Sequence, residues 1–364
     1  MAVYVARPSI HLPAHLVTRD QILDDMVARH PDHPRLNAVR RVVAQMPTTR
    51  RCSRPWATVV SERSAAERNV QAFEDVRAMG AAAAAGVLDL HGVAPGEVDY
   101  LITSHSTGDA VPGLDVHLVA DLGMSSQVRR RPITQLGCGG GAHALSMAVD
   151  AVTARPGSTV LVVVAESLSS IYHHGDTSLE MMIYKALWGD SGAAFLVSDR
   201  PLGPGLRVED TWEYLLPGTA GRYRKRVDDA GVHFDSDKSA TQSVNEMAPA
   251  LLAWLARPLP AGAPGAAEQR GDGGGGGGWP VEFVVAHTGG PAILSDLAKQ
   301  LGVQDAVLQR SWESLDQVGN LGGASVIDVL ERTYSTPPAA GQNGLLIGFG
   351  PGFSVSAVKA TWVE

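Results

Sequence analysis

The chain has 364 residues, long enough for one large domain or two fused halves. Its composition, 45% hydrophobic and 19% charged, is that of an ordinary globular protein. A formal charge of -8 without a long basic run argues against nucleic acid as a partner, and the longest apolar run, residues 160–165, falls far short of the ~20 residues a membrane span needs.

Taken in order, the N-terminal MAVYVARPSIHLP has neither the basic start nor the long apolar core expected of a signal peptide. The only cysteines are Cys52 and Cys138, so no disulfide framework is expected and a reducing cytoplasm is the default. Residues 66–90 carry a helical pattern, and residues 98–103 form the first β-rich apolar run. A second helix is expected over 142–153, then strands over 159–165 and 193–197. Residues 258–280, PLPAGAPGAAEQRGDGGGGGGWP, are dominated by Gly, Ala and Pro and read as an inserted flexible surface loop. Strands follow at 281–286 and 345–347. The alternation predicts an α/β fold around a largely buried sheet.

A weak internal repeat runs through this pattern. Leu101–Gly108 reads LITSHSTG and Phe283–Gly290 reads FVVAHTGG, each an apolar strand ending in histidine and small residues. The spacing from His105 to Cys138 equals the spacing from His287 to Asn320. Behind glycines, both Cys138 and Asn320 open helical patterns. Two similar halves predict a pseudo-twofold fold, divided here into 1–205 and 206–364.

Cys138 sits in ITQLGCGGGA, with an apolar approach and a glycine exit into a helix. A thiol at a helix N-terminus meets unpaired N–H groups that favour the thiolate, and flanking glycines let a substrate carbonyl approach the backbone. Cys138 is therefore the expected nucleophile, while Cys52, among arginines without such a turn, reads as structural. His287 ends a strand at the edge where α/β sheets usually hold ligands. Asn320 in GNLGGA has the pattern of a helix N-cap, yet beside a Cys–His pair its amide can also donate to a developing oxyanion. His173 and His174 are adjacent in a loop, but no metal site is expected there.

These residues lie in motifs that resemble the chalcone and stilbene synthase superfamily, the type III polyketide synthases. QLGCGGG resembles the nucleophile turn, VVAHTGGP the histidine motif and GNLGGASV the asparagine motif. GFGPG at residues 348–352 matches the C-terminal loop as it stands, and ALWGDSGAA at 186–194 resembles a fifth motif. The similarity runs nearly end to end, and the stretches ARPSIHLPAHLVTRDQIL and GVHFDSDK point to the bacterial, tetrahydroxynaphthalene synthase-like branch. The resemblance implies the thiolase fold, two βαβαβαββ halves in a five-layer αβαβα sandwich, working as a homodimer. It implies catalysis by Cys138, His287 and Asn320 on acyl-CoA and malonyl-CoA, with no metal or further cofactor. It also implies a substrate cavity lined by Trp188, Phe234, Ser106, Leu168, Ile171, Gly322, Gly348, Phe349, Gly350, Pro351 and Gly352. Arg41, one of a cluster with Arg40, Arg50, Arg51 and Arg54, aligns with a basic residue that contacts CoA.

The chain departs from the plant pattern along that cavity. Trp188 replaces a gatekeeper phenylalanine, whereas Phe234 keeps the second. Leu168 and Ile171 fall where plant enzymes place threonines, Gly322 where a small Ser is common, and Ser106 where tetrahydroxynaphthalene synthases carry a second cysteine. A larger Trp and more apolar walls would favour a short or alkyl-bearing product. Two other readings share parts of the pattern. A papain-like cysteine hydrolase also has the order Cys, His, Asn with a glutamine, here Gln135, before the cysteine. Against it, a long stretch of α/β pattern precedes Cys138 and no Trp follows it. A single-round ketoacyl synthase or acyltransferase would use the same fold and the same three residues.

Overall fold

The computed structural model describes residues 1–266 and 278–364. Its strands are β1 (Val3–Val5), β2 (Ser9–His11), β3 (His15–Thr18), β4 (Arg50–Ser53), β5 (Tyr100–Ser104), β6 (Arg129–Ile133), β7 (Val160–Glu166), β8 (Ser191–Ser198), β9 (Gly205–Leu215), β10 (Tyr223–Asp228), β11 (Gly231–Ser236), β12 (Phe283–Ala286), β13 (Asn343–Gly350) and β14 (Ser354–Val363). Ten of them form one sheet in the order β12-β13-β14-β9-β1-β8-β7-β5-β6, with β2 also on β8. β5 pairs in parallel with β6 and β7, and β12 pairs in parallel with β13. β1 pairs antiparallel with β8 on one side and β9 on the other, joining an N-terminal arm to a C-terminal arm.

Burial along β7 shows how the arms are layered. Every residue of this strand is buried, as expected of a strand covered on both faces. Val160, Val162 and Val164 join a core shared with Ala142, Leu145, Ile327 and Leu330, while Leu161, Val163 and Ala165 join another core with Val76, Ala83 and Val87. The helices Gly140–Ala154 and Ser325–Ser335 thus lie between the two arms and touch strands of both. The helix Ala65–His91 covers the outside of the N-terminal arm. The helices Ser243–Leu255 and Pro291–Leu301 cover the outside of the C-terminal arm through Leu251, Leu294, Val284 and Ile347. Helix, sheet, helices, sheet, helices is the five-layer order of the thiolase fold.

Local sequence fixes the ends of these elements. Ser64 and Glu67 form a capping box at the start of the long helix, and Gly92, at φ 61°, closes it in the left-handed region. The two central helices start differently. Each follows a single 3₁₀ turn, Gly137–Gly139 or Gly322–Ala324, and neither N-cap residue supplies a side-chain hydrogen bond. The expected flexible segment 258–280 needs correction at its ends. Leu259, Ala266 and Trp279 are buried against the C-terminal arm, and Trp279 Nε1 donates to the Gly344 carbonyl at 3.1 Å. The apolar side chains among the Gly and Pro explain this anchoring. Residues 267–277 of that segment lie outside the described residues.

Candidate active site

The two 3₁₀ turns pack against each other at the centre of the molecule. A Cβ on Gly141 would collide with the Gly323 carbonyl oxygen, so glycine is required for this approach. Gly137 takes φ 51° directly before Cys138, with Pro351 of the C-terminal loop against it. The glycines read from the sequence as room for substrate therefore also bring the two helix starts, and with them Cys138 and Asn320, together.

Cys138, His287 and Asn320 all line one cavity of about 530 Å³. His287 follows β12 directly, and its backbone N–H donates to the Ile347 carbonyl at 3.0 Å. The ring is buried and its Nδ1 has no hydrogen-bond partner among the described residues. Asn320 is held from several sides. Its N–H donates to the Leu187 carbonyl at 2.9 Å, and its own carbonyl accepts from Gly189 N–H at 3.0 Å. Its side-chain Oδ1 accepts from Gly322 N–H at 2.8 Å and from Ser325 Oγ at 3.2 Å. With the oxygen spent on the turn, the amide NH2 is the group left for the site, and a hydrogen bond from Asn320 stabilises the Cys138 thiolate. The capping reading and the oxyanion reading are thus two ends of one side chain.

The electrostatics differ from the sequence expectation of a lowered thiol pKa. Burial, and then the nearby Glu166 carboxylate, push the Cys138 thiol up to about 12, against the opposing Asn320 bond. A helix N-terminus supplies at most ~2 kcal/mol, which does not outweigh loss of solvent. Burial likewise pushes His287 down to about 4. Each group alone is neutral. A proton moved from sulfur to imidazole would leave two opposite charges, which attract each other across the cavity that both groups line. The sulfur is nonetheless reachable, because it faces the cavity, whereas Cys52 is buried in β4.

Of the expected cavity residues, Trp188, Phe234, Ser106, Leu168, Gly322, Phe349, Gly350 and Pro351 line it. Trp188 stacks on Tyr184 at 4.5 Å and meets Phe234 edge-on at 5.1 Å. Its backbone bridges that of Asn320, which ties the aromatic wall to the turn that carries Asn320. Ile171, Gly348 and Gly352 are corrections. Ile171 lines a separate void of about 20 Å³ beyond Trp188, because the 3₁₀ turn Leu168–Ile171 points only its first residue inward. Gly348 lies within β13 against Ala142, and Gly352 sits behind Pro351 against Leu215. Arg41 projects from an exposed helix face outside the cavity lining, bonded to its own Asn37 carbonyl at 3.4 Å. The arginine cluster disperses around it: Arg51 turns inward to the Lys185 carbonyl, Arg54 pairs with Asp75, and Arg40 and Arg50 face solvent. His173 and His174 go to different partners, the Val232 carbonyl and the carboxylates of Asp25 and Glu62.

Several lining residues escaped the sequence reading, among them Tyr184, Tyr223, Arg224, Lys225, Ile293 and Phe353. Glu166 escaped too. It ends β7, is fully buried, and accepts from Ser106 N–H at 3.0 Å and Ser106 Oγ at 2.7 Å. Burial pushes its carboxyl up to about 7, with the Ser106 bonds holding it down. A signal existed, since a lone carboxylate after the apolar run 160–165 stands at the same strand edge as His287.

The chain matches the N-terminal domain of chalcone and stilbene synthases over residues 43–201 and the C-terminal domain over residues 207–362. A phloroglucinol synthase of Pseudomonas fluorescens is 28% identical over 98% of both chains. A 1,3,6,8-tetrahydroxynaphthalene synthase of Streptomyces coelicolor is 30% identical over 98% of this chain and 92% of its own. The structure of a Streptomyces coelicolor tetrahydroxynaphthalene synthase superposes with a TM-score of 0.89 at 29% identity over 99% of each chain. Germicidin synthase from the same organism, a type III polyketide synthase, superposes with a TM-score of 0.90 at 29% identity over the whole of both. With the fold and both halves of the family accounted for, this chain belongs to the chalcone and stilbene synthase family of type III polyketide synthases.

Proposed function

We propose that the protein loads an acyl starter from CoA onto Cys138 and extends it by decarboxylative condensation with malonyl-CoA to an aromatic or pyrone product. The observation that carries this reading is the convergence of Cys138, His287 and Asn320 on one cavity with an apolar wall. In loading, Cys138 sulfur attacks the thioester carbonyl as its proton passes to His287. The acyl–sulfur bond forms, the CoA carbon–sulfur bond breaks, and the imidazolium returns the proton to the CoA thiolate. In extension, malonyl-CoA loses CO2 and the electron pair of the broken bond becomes an enolate. His287 and Asn320 donate to the enolate oxygen. The carbanion attacks the acyl carbon, and Cys138 leaves as a thiolate held by Asn320. A neutral amide suits this place because a carboxylate would repel the enolate. Asn320→Ala should cost ~10²–10³ in condensation rate.

No helix among the described residues is long and apolar enough to cross a membrane. We place the reaction in the cytoplasm and in a homodimer, with halves 1–205 and 206–364 supplying the nucleophile and its two partners. The test is incubation with malonyl-CoA, alone and with a panel of acyl-CoA starters, followed by liquid chromatography and mass spectrometry. Polyketide products longer than the starter by two-carbon units are expected. A single ketoacyl product would favour a one-round ketoacyl synthase, and CoA release without carbon–carbon bond formation would favour a plain acyltransferase.

A further inference from the structure

The hairpin β10–β11 closes one side of the cavity, and it brings the cations Arg224 and Lys225 and the carboxylate Asp235 to a wall that also carries Trp188, Tyr184 and Phe349. In its antiparallel register Lys225 pairs directly with Phe234, so both side chains leave the same face, the one turned to the cavity. Lys225 Nζ donates to the Ser106 carbonyl at 3.1 Å and to Asp109 Oδ2 at 3.1 Å. An ammonium has three donors, and these bonds use two. Asp109 is a screened claimant, for its side chain is 68% exposed and that of Lys225 30% exposed, so water weakens the pair. Arg224, next in the chain, lines the same cavity from its exposed rim with its cross-strand partner Asp235, whose carboxylate pairs with Arg226, while Arg224 forms no ion pair among the described residues. The opposite face of the hairpin is pinned, with buried His233 held between Asp176 at 2.5 Å and Asp228 at 2.9 Å. Lys225 is therefore presented on a braced strand and not on a loose loop.

We propose that Lys225, with Arg224 at the rim, forms a carboxylate-binding subsite inside the acyl cavity, so that the enzyme prefers starters whose far end carries a free carboxylate. This inference rests on the synthase reading above and names the substrate class it leaves open. A neutral alkyl starter gains only burial against Trp188, Phe234 and Leu168. A dicarboxylic starter also finds the third Lys225 donor, and a hydrogen bond between charged groups is stronger than a neutral one. The coenzyme phosphates are the other anions available, but one ammonium at the cavity wall, bonded to a backbone carbonyl, suits a single carboxylate better than a diphosphate.

The test compares succinyl-CoA, a dicarboxylic thioester that cannot lose CO2 as malonyl-CoA does, with butyryl-CoA, its neutral counterpart. Loading of Cys138 is followed by intact-protein mass, and binding of free CoA is measured alongside. In Lys225→Met the succinyl loading rate should fall about 10- to 100-fold, with butyryl loading and CoA affinity unchanged. Lys225→Arg should retain most of the succinyl preference, and Lys225→Glu should reverse it. Equal loss with both starters would reduce Lys225 to a brace for the hairpin, and weakened CoA binding would make it a phosphate contact; either overturns the subsite. Loading of butyryl but not succinyl by the unmodified protein would also overturn it while leaving the synthase reading intact. Loading of neither would defeat both.

Discussion

His105 and His287 end corresponding strands and stand at the same spacing before corresponding helix starts, yet only His287 lines the cavity. The difference lies in how their polar atoms are spent. His105 Nδ1 is bonded to the Thr107 carbonyl at 2.9 Å, and its ring lies 6.3 Å from that of Phe73 on the outer helix. The chain beyond it is tied down by Glu166 and Ser106. His287 Nδ1 has no hydrogen-bond partner among the described residues, and the residue lines the cavity. The same contrast separates Cys138 from Asn320, where one helix start presents a sulfur and the other an amide whose oxygen is already committed to Gly322. A duplicated frame supplies equivalent places, and the unsatisfied donors and acceptors decide which place does chemistry.

That contrast can be broken most sharply by matched substitutions. His287→Ala should lower condensation ~10²–10⁴-fold. His105→Ala, which removes a buried hydrogen bond, should cost ~1–3 kcal/mol of stability while leaving the turnover of folded enzyme within a few-fold. Parallel steady-state kinetics and denaturant unfolding of both variants would show it. Similar kinetic losses would mean that the halves are not divided as described.

A second measurement sharpens the proton account. Burial and Glu166 push the Cys138 thiol up to about 12, and burial pushes His287 down to about 4. Alkylation by iodoacetamide should therefore proceed near neutral pH in the unmodified protein, where sulfur can pass its proton to the imidazole. In His287→Ala the thiolate lacks that partner, so the pH profile should move upward by several units. Glu166→Gln should move it downward, because removing a neighbouring negative charge eases thiolate formation. Superimposable profiles for the unmodified protein and His287→Ala would refute the coupling.

The smallest effect concerns the wall. Trp188→Ala removes a stacked and an edge-on aromatic contact, each worth ~0.5–1.5 kcal/mol. It should change starter choice or product length more than rate. An unchanged product profile would take Trp188 out of the pocket's working surface.

The three residues proposed as catalytic, Cys138, His287 and Asn320, which share one cavity, were legible in the sequence because each stands at a glycine-marked break between apolar strand and helix, a signal that survives without coordinates. β5, β7, β8, β12 and β13 were legible for the same reason, as short apolar runs with both faces buried. The hairpin around YRKRVDDAGVHFDS was not, since its run of charges carries no apolar alternation and nothing local says that Lys225 borders the cavity beside Phe234. The arginine cluster around Arg41 does not stay together in the fold. A cluster of arginines in sequence looks like an anion site, but helix and strand geometry sends its members in different directions. Glycine likewise misled at 348 and 352, where a loop motif was read as lining throughout although only Phe349, Gly350 and Pro351 reach the cavity.

The account depends on one sulfur carrying the growing acyl chain. Peptide mapping by mass spectrometry after brief exposure to an acyl-CoA starter, in the unmodified protein and in Asn320→Ala, tests this most directly. An acyl adduct on the peptide that contains Cys138 is predicted in both proteins, with malonyl-CoA then extending it in the unmodified protein and scarcely in the variant. An adduct on Cys52 or elsewhere, or extension that proceeds equally in Asn320→Ala, would contradict it.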